Sequence, residues 1–210
     1  MCPMSLIEIY YTTVYNVLIS IPGGTHMEWF FGLLAIVVVI GLWLMSAYNG
    51  FIAWRNKVDE AFSTMDVYLV KRYDLIPNLV ETVKGYAKHE SETLERVISA
   101  RNKAVNASNV EDKAKAEGEF AGVLGRLFAL AEAYPDLKAN TQFLDLQAQL
   151  KVLEEDIANA RKFYNGTTRQ YNTMVESFPN NIVANLFKFI KRPLFEVEDA
   201  TQRQNVKVQF

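Results

Sequence analysis

Residues 143–178, FLDLQAQLKVLEEDIANARKFYNGTTRQYNTMVESF, carry an apolar or small side chain at Phe143, Leu146, Leu150, Leu153, Ile157, Ala160, Tyr164, Thr167, Tyr171, Met174 and Phe178. The steps alternate strictly between three and four. That period belongs to one long helix with a single buried seam, because residues three and four apart share a helix face. At about 1.5 Å per residue the helix extends roughly 55 Å. Asn140 or Thr141 can cap its start, and Pro179 lies just past its end.

Upstream, three further helices are predicted. The first continues out of an apolar anchor through Val58, Phe62, Met65 and Leu69. The second is expected from Pro77 to Asn106, with Val80, Val83, Ala87, Leu94 and Val97 on one face and Asp74 as its cap. A single kinked helix running through Pro77 is the competing reading. The third starts near Asn109, has Glu111 and Asp112 in its dipole-favoured first turn, shows Phe120, Leu124, Leu127, Ala131 and Tyr134, and stops at Pro135. Apart from Val206, Val208 and Phe210 at the tail, no segment of this part of the chain alternates like a strand. Short connections favour antiparallel neighbours, so the expected fold class is all-α: an N-terminal transmembrane helix followed by an antiparallel up-and-down four-helix bundle. An extended parallel coiled-coil rod competes, and the short loops count against it.

The anchor is WFFGLLAIVVVIGLWLMSAYNGFIAW, residues 29–54, without one charge. Its densest part, 29–48, gives a helix of roughly 30 Å, the thickness of a bilayer core. Trp29 at one end and Tyr48 and Trp54 at the other suit the headgroup level. No Lys or Arg precedes Arg55, and Arg55 and Lys57 follow the span directly. The positive-inside rule therefore predicts an outside N-terminus and a cytoplasmic bundle. A cleaved signal peptide fits poorly: nothing positive precedes the run, which is longer than a signal's apolar region.

The organisation expected is a doubtful extension over 1–26, an anchor over 27–54, a bundle over 55–178, and an amphipathic segment with a tail over 179–210. Residues 1–26 are apolar and aromatic, with Glu8 as the one charge. Gly23-Gly24 can be encoded as a ribosome-binding sequence, with Thr25 and His26 as spacer before Met27. Translation starting at Met27 is the expectation that follows.

In an up-and-down topology the long helix returns toward the membrane. The segment NNIVANLFKFIKRPLF, 180–195, would then lie near lipid. Lys188, Lys191 and Arg192 with Phe187 and Ile190 are candidate membrane-surface residues, since an apolar face with a basic rim can sit among headgroups. A short helix closing the end of the bundle is the alternative. Val206, Val208 and Phe210 are candidate partner-binding residues, suited to another protein's groove or edge. Arg72, Glu90 and Arg101 fall where the period wants apolar residues, making a candidate polar layer. Such a layer either binds a partner or sets helix register through ion pairs.

Enzyme chemistry finds no foothold. A di-metal carboxylate bundle needs paired Glu-x-x-His motifs, and the bundle region holds a single histidine, His89, with no glutamate three residues before it. Phosphate loops, nucleophile elbows and cysteine nucleophiles are missing, and Cys2 is the lone cysteine. No catalytic residue, cofactor or metal is expected. The balance of 22 basic against 24 acidic residues gives no basic face for nucleic acid.

Two motifs, RYDLIPNLVETVKGYAKHE over 72–90 and RLFALAEAYPDLKAN over 126–140, carry a specific resemblance. Together with Phe163-Tyr164-Asn165, Tyr171-Asn172 and Ser177-Phe178-Pro179, they make the chain from Glu28 to Phe210 resemble the LemA family. The resemblance implies a bacterial single-pass membrane protein with a short outside N-terminus, a cytoplasmic helical bundle and no established enzymatic activity. It also implies links to membrane proteases of the HtpX type in some members and to magnetosome membranes in others. A non-enzymatic adaptor or scaffold, with other membrane proteins as partners, is the leading expectation; a self-assembling, homo-oligomeric membrane organiser is the alternative.

Overall fold

The computed structural model describes residues 26–196 apart from Lys88; the tail candidates Val206, Val208 and Phe210 and the extension before His26 lie outside the described residues. Six helices follow one another, with no strand among the described residues. They are α1 (His26–Tyr86), α2 (Ser91–Asn106), α3 (Val110–Ala131), α4 (Pro135–Lys138), α5 (Thr141–Glu176) and α6 (Asn180–Phe187).

Helix α1 has 61 residues and is about 90 Å long. Its first third is a candidate membrane span, long and apolar enough to cross a bilayer, and only 6% of its most apolar window is buried within the protein. A soluble core helix of that composition would be covered. Here Leu33, Ile36, Val37, Ile40 and Leu42 face outward, a continuous apolar surface far larger than soluble proteins expose. Beyond Trp54 the pattern changes, and Val58, Ala61, Met65, Leu69, Ile76, Leu79 and Val83 are buried.

The break expected at Pro77 does not occur; α1 runs through Pro77 to Tyr86, and the next helix begins only at Ser91. Proline cannot donate to the carbonyl four residues back, which leaves the Tyr73 carbonyl without its helical partner. The Nε of Arg101, reaching over from α2, donates to that oxygen at 3.4 Å. A tertiary contact thus supplies what the proline removes. Val80, Val83, Ala87, Leu94 and Val97 are all buried as expected, but across two helices joined by a turn.

The other boundaries follow their local signals. Asn109 caps α3 by accepting from the Asp112 amide, and Asn140 caps α5 by accepting from the Phe143 amide. Helix α3 ends at Ala131, four residues before the proline expected to stop it, and Pro135 opens the single turn of α4, whose Leu137 is fully buried. Along the α5 seam the side chains from Phe143 to Tyr171 are buried or half-buried, while Phe178, assigned to the seam by its spacing, is 81% exposed.

Helices α1 and α5 share an extensive interface. Phe51 meets Tyr171, Phe62 meets Tyr164, Arg72 meets Glu154 and Tyr86 meets Asn140. Numbers rise along α1 as they fall along α5. Helix α2 packs on α1 and α3. Phe120 of α3 meets Tyr73, and Phe128 meets Phe143.

Candidate functional site

Two constellations stand out from the apolar packing: a buried ionic cluster midway along the helices, and a C-terminal strap beside the end of the candidate span.

The cluster centres on Arg72, 2% exposed on the inner face of α1. Its guanidinium is paired with Glu117 of α3, itself 5% exposed, and reaches Glu154 of α5 at 2.5 Å. The Tyr73 hydroxyl donates to the second carboxylate oxygen of Glu117. The central carbon of the Arg72 guanidinium lies over the Phe120 ring, 4.9 Å from its centre. Burial opposes the positive charge of Arg72, yet the Glu117 and Glu154 carboxylates outweigh it and hold its pKa above the ordinary value. Burial, with Glu117 beside it, pushes the Tyr73 phenol far above its usual range. Between this level and the candidate span, Lys113 of α3 pairs with Asp66 of α1. Lys113 and Glu117 are four apart and share the α3 face that meets α1.

Of the three residues read as a polar layer, Arg72 is the centre. Arg101 joins it indirectly through the Tyr73 carbonyl. Glu90 does not take part; it precedes α2, half-buried, 3.5 Å from the Tyr134 hydroxyl. His89 is exposed in the turn rather than within a helix. Lys113, Glu117 and Glu154 were missed by the sequence reading. Running the three-and-four spacing of α3 backward from Phe120 lands on Glu117 and then on Lys113, so a signal existed; the run KAKAEGE disguised it as a solvated face.

Beside the cluster, an open groove of about 550 Å³ between α3 and α5 is lined by Leu124, Gly125, Phe128, Leu144, Ala148 and Glu154. No group of metal-ligating side chains occurs among the described residues.

The strap follows α6. Lys188 closes that helix in the left-handed region at φ 57°. The chain then doubles back along α5 in extended form. Asn172 clamps the backbone of Arg192, its amide nitrogen donating to the carbonyl at 2.9 Å and its oxygen accepting from the amide at 2.8 Å. Asn165 does the same to Phe195, at 3.1 and 2.8 Å. The registers match: seven helical residues separate the asparagines by roughly 10 Å, and three extended residues cover roughly 10 Å. The Tyr164 hydroxyl donates to the Pro193 carbonyl at 2.8 Å, and Phe195 is 1% exposed beneath Arg161. Burial raises the Tyr164 and Tyr171 phenols and lowers Arg161.

The candidate membrane-surface residues divide. Lys191 is ion-paired with Glu176, and Arg192 lies 3.3 Å from Asp59 of α1. Lys188 has no ion pair among the described residues. Phe187 is 48% and Ile190 73% exposed.

A long helix with an apolar, outward-facing first third, on which shorter helices enclose a paired ionic cluster, defines a helical protein of the membrane-associated class. The chain belongs to the LemA family, whose model matches residues 61–210. It is 23% identical to Protein LemA of Metamycoplasma hominis, over 85% of this chain and 83% of that protein. It is also 25% identical to Magnetosome protein MamQ 2 of Paramagnetospirillum magneticum, over 85% of this chain and 75% of that protein. Magnetosome protein MamQ of Magnetospirillum gryphiswaldense is 24% identical, over 75% of this chain and 67% of that protein.

Proposed function

We propose that this protein is a membrane-anchored, non-enzymatic scaffold of the LemA family that holds a helical bundle beside the bilayer and presents it to other membrane proteins. The observation that carries the reading is the continuity of α1, one helix from the candidate span to Tyr86. An anchor joined without a linker fixes the height and tilt of everything packed on it, which suits a platform better than a tethered, freely tumbling domain. The successive α1–α5 contacts support an antiparallel up-and-down arrangement of α1, α2, α3 and α5, with a coiled-coil-like seam along α5. The Arg72 cluster supports the non-enzymatic reading: its two buried charges, Arg72 and Glu117, are spent on pairing with each other across α1 and α3.

In this reading the span crosses the bacterial inner membrane, Arg55 and Lys57 keep the bundle cytoplasmic, and partners are met by two-dimensional search at raised effective concentration. A membrane metalloprotease of the HtpX type is one partner to look for. Crosslinking in cells, solubilisation, capture of the tagged chain and mass spectrometry test the proposal. Recovery of one dominant membrane protein supports the scaffold; recovery of no membrane protein beyond background sinks it.

A second reading, a self-assembling membrane organiser, is favoured by the relatives that bear the name of magnetosome proteins. The same experiment separates the two, because a self-assembling protein recovers chiefly itself.

A further inference from the structure

We propose that the outer face of α6 and its flanks, formed by Phe178, Ile182, Leu186 and Ile190, docks into the headgroup–acyl boundary of the bilayer that α1 spans. The proposal rests on α1 being a membrane span and adds a second, peripheral membrane contact to it.

Depth in the membrane is set by the span. Residues 29–48 fill a bilayer core of about 30 Å, which puts Tyr48 at the boundary on the side of the bundle. The Phe187 ring lies 4.8 Å from that of Tyr48, and Phe189 stacks on Phe51 at 4.7 Å. Helix α6 is therefore held against the last turn of the span, and whatever depth Tyr48 has, α6 shares.

The apolar side chains of this segment point two ways. Val183 and Ala184 are fully buried against the rest of the protein, and Phe189 is 9% exposed. These explain α6 as a lid on the end of the bundle. They leave the opposite side unexplained: Phe178 is 81%, Ile182 53%, Leu186 65% and Ile190 73% exposed. The four recur every fourth residue, so those within the helix share one face and the others flank it. An eight-residue helix that is apolar on both faces has one face too many for a lid in water.

Charge limits how the segment is held. Glu176 pairs with Lys191 and Asp59 with Arg192, so two acids offset two of the three basic charges at this surface. Docking is then driven by apolar insertion and does not require anionic lipid.

The test uses the full chain with Cys2→Ser, carrying single cysteines at Phe178, Ile182 or Ile190 labelled with an environment-sensitive fluorophore. Vesicles are phosphatidylcholine, with or without brominated acyl chains. Val37, in the span, and Val152, on an exposed face of α5 far from Tyr48, serve as references. The expected result is strong bromine quenching at 178, 182, 190 and Val37, and none at Val152. Quenching at Val37 with water-like, unquenched emission at 182 and 190 overturns the docking while leaving the span intact. Shielded emission at 182 and 190 without bromine quenching overturns it too, since protein, such as a second copy, then covers the face. No quenching at Val37 removes the span itself, and the docking with it.

Discussion

Replacing Arg72 with Met removes one member of a buried pair and leaves the other charged. Arg72 and Glu117 are 2% and 5% exposed, so Glu117 loses its counter-ion in a place that water does not reach. Breaking such a pair from one side costs about 3–5 kcal/mol. Glu154 adds little, because it is 48% exposed and regains solvent. Set against a typical stability of about 5–15 kcal/mol, the loss is large. For a bundle of this size it lowers the melting temperature by roughly 10–20 °C. The assay is thermal unfolding of the full chain in nanodiscs, followed by the near-ultraviolet dichroism of its tyrosines, which the span does not dominate. Arg72→Met combined with Glu117→Gln removes both charges and keeps an acceptor for the Tyr73 hydroxyl, so it regains at least half of the loss. A single substitution that costs less than about 1 kcal/mol, or a double that equals the sum of the singles, would refute the reasoning.

Other outcomes follow from the same contacts. Arg101→Met strips the last partner from the Tyr73 carbonyl and destabilises by about 1–3 kcal/mol. In a Pro77→Ala background that penalty largely disappears, because the introduced alanine has a backbone N–H that donates to the carbonyl itself; thermal unfolding of the four variants measures the coupling. Asn172→Ala releases the strap, and hydrogen exchange then shows faster exchange at the Arg192 and Phe195 amides with the α1–α5 amides unchanged. Lys188→Gly relieves a left-handed lysine and raises stability by about 0.5–1 kcal/mol, read as a higher melting temperature. On the alkaline side, Tyr73, Tyr164 and Tyr171 have pKa values raised in the folded state, chiefly by burial. The unfolded chain therefore loses these protons first; stability is full below about pH 10 and falls as pH rises beyond it. Phenolate absorbance followed with pH shows a late-ionising group of tyrosines that titrates together with loss of dichroism; smooth titration of all ten at ordinary values contradicts this.

The helices were legible because their periods are local properties of the chain. The uncharged run of 29–54 identifies a candidate span whatever the rest of the protein does. The α5 seam, the Asn140 cap and the start of α3 near Asn109 were likewise readable, since each depends on residues within one or two turns. The strap clamps were half visible: Asn165 and Asn172 stand in the motifs that carry the family resemblance, but nothing local says that they grip Arg192 and Phe195. What the sequence could not decide were outcomes of competition between distant groups. Pro77 reads as a helix start, yet the helix runs through it, and Arg101, 28 residues away in the chain, reaches the Tyr73 carbonyl that the proline strands. Glu117 and Lys113 went unnoticed in the charged run KAKAEGE, and Arg72 and Asp66 of another helix bury them, because a charge is buried or exposed according to its partner and not its neighbours in the chain. Phe178 fits the α5 seam by spacing, yet α5 ends at Glu176 and nothing packs over it. Periodicity fixes which side chains share a face; only the packed helices decide what that face meets.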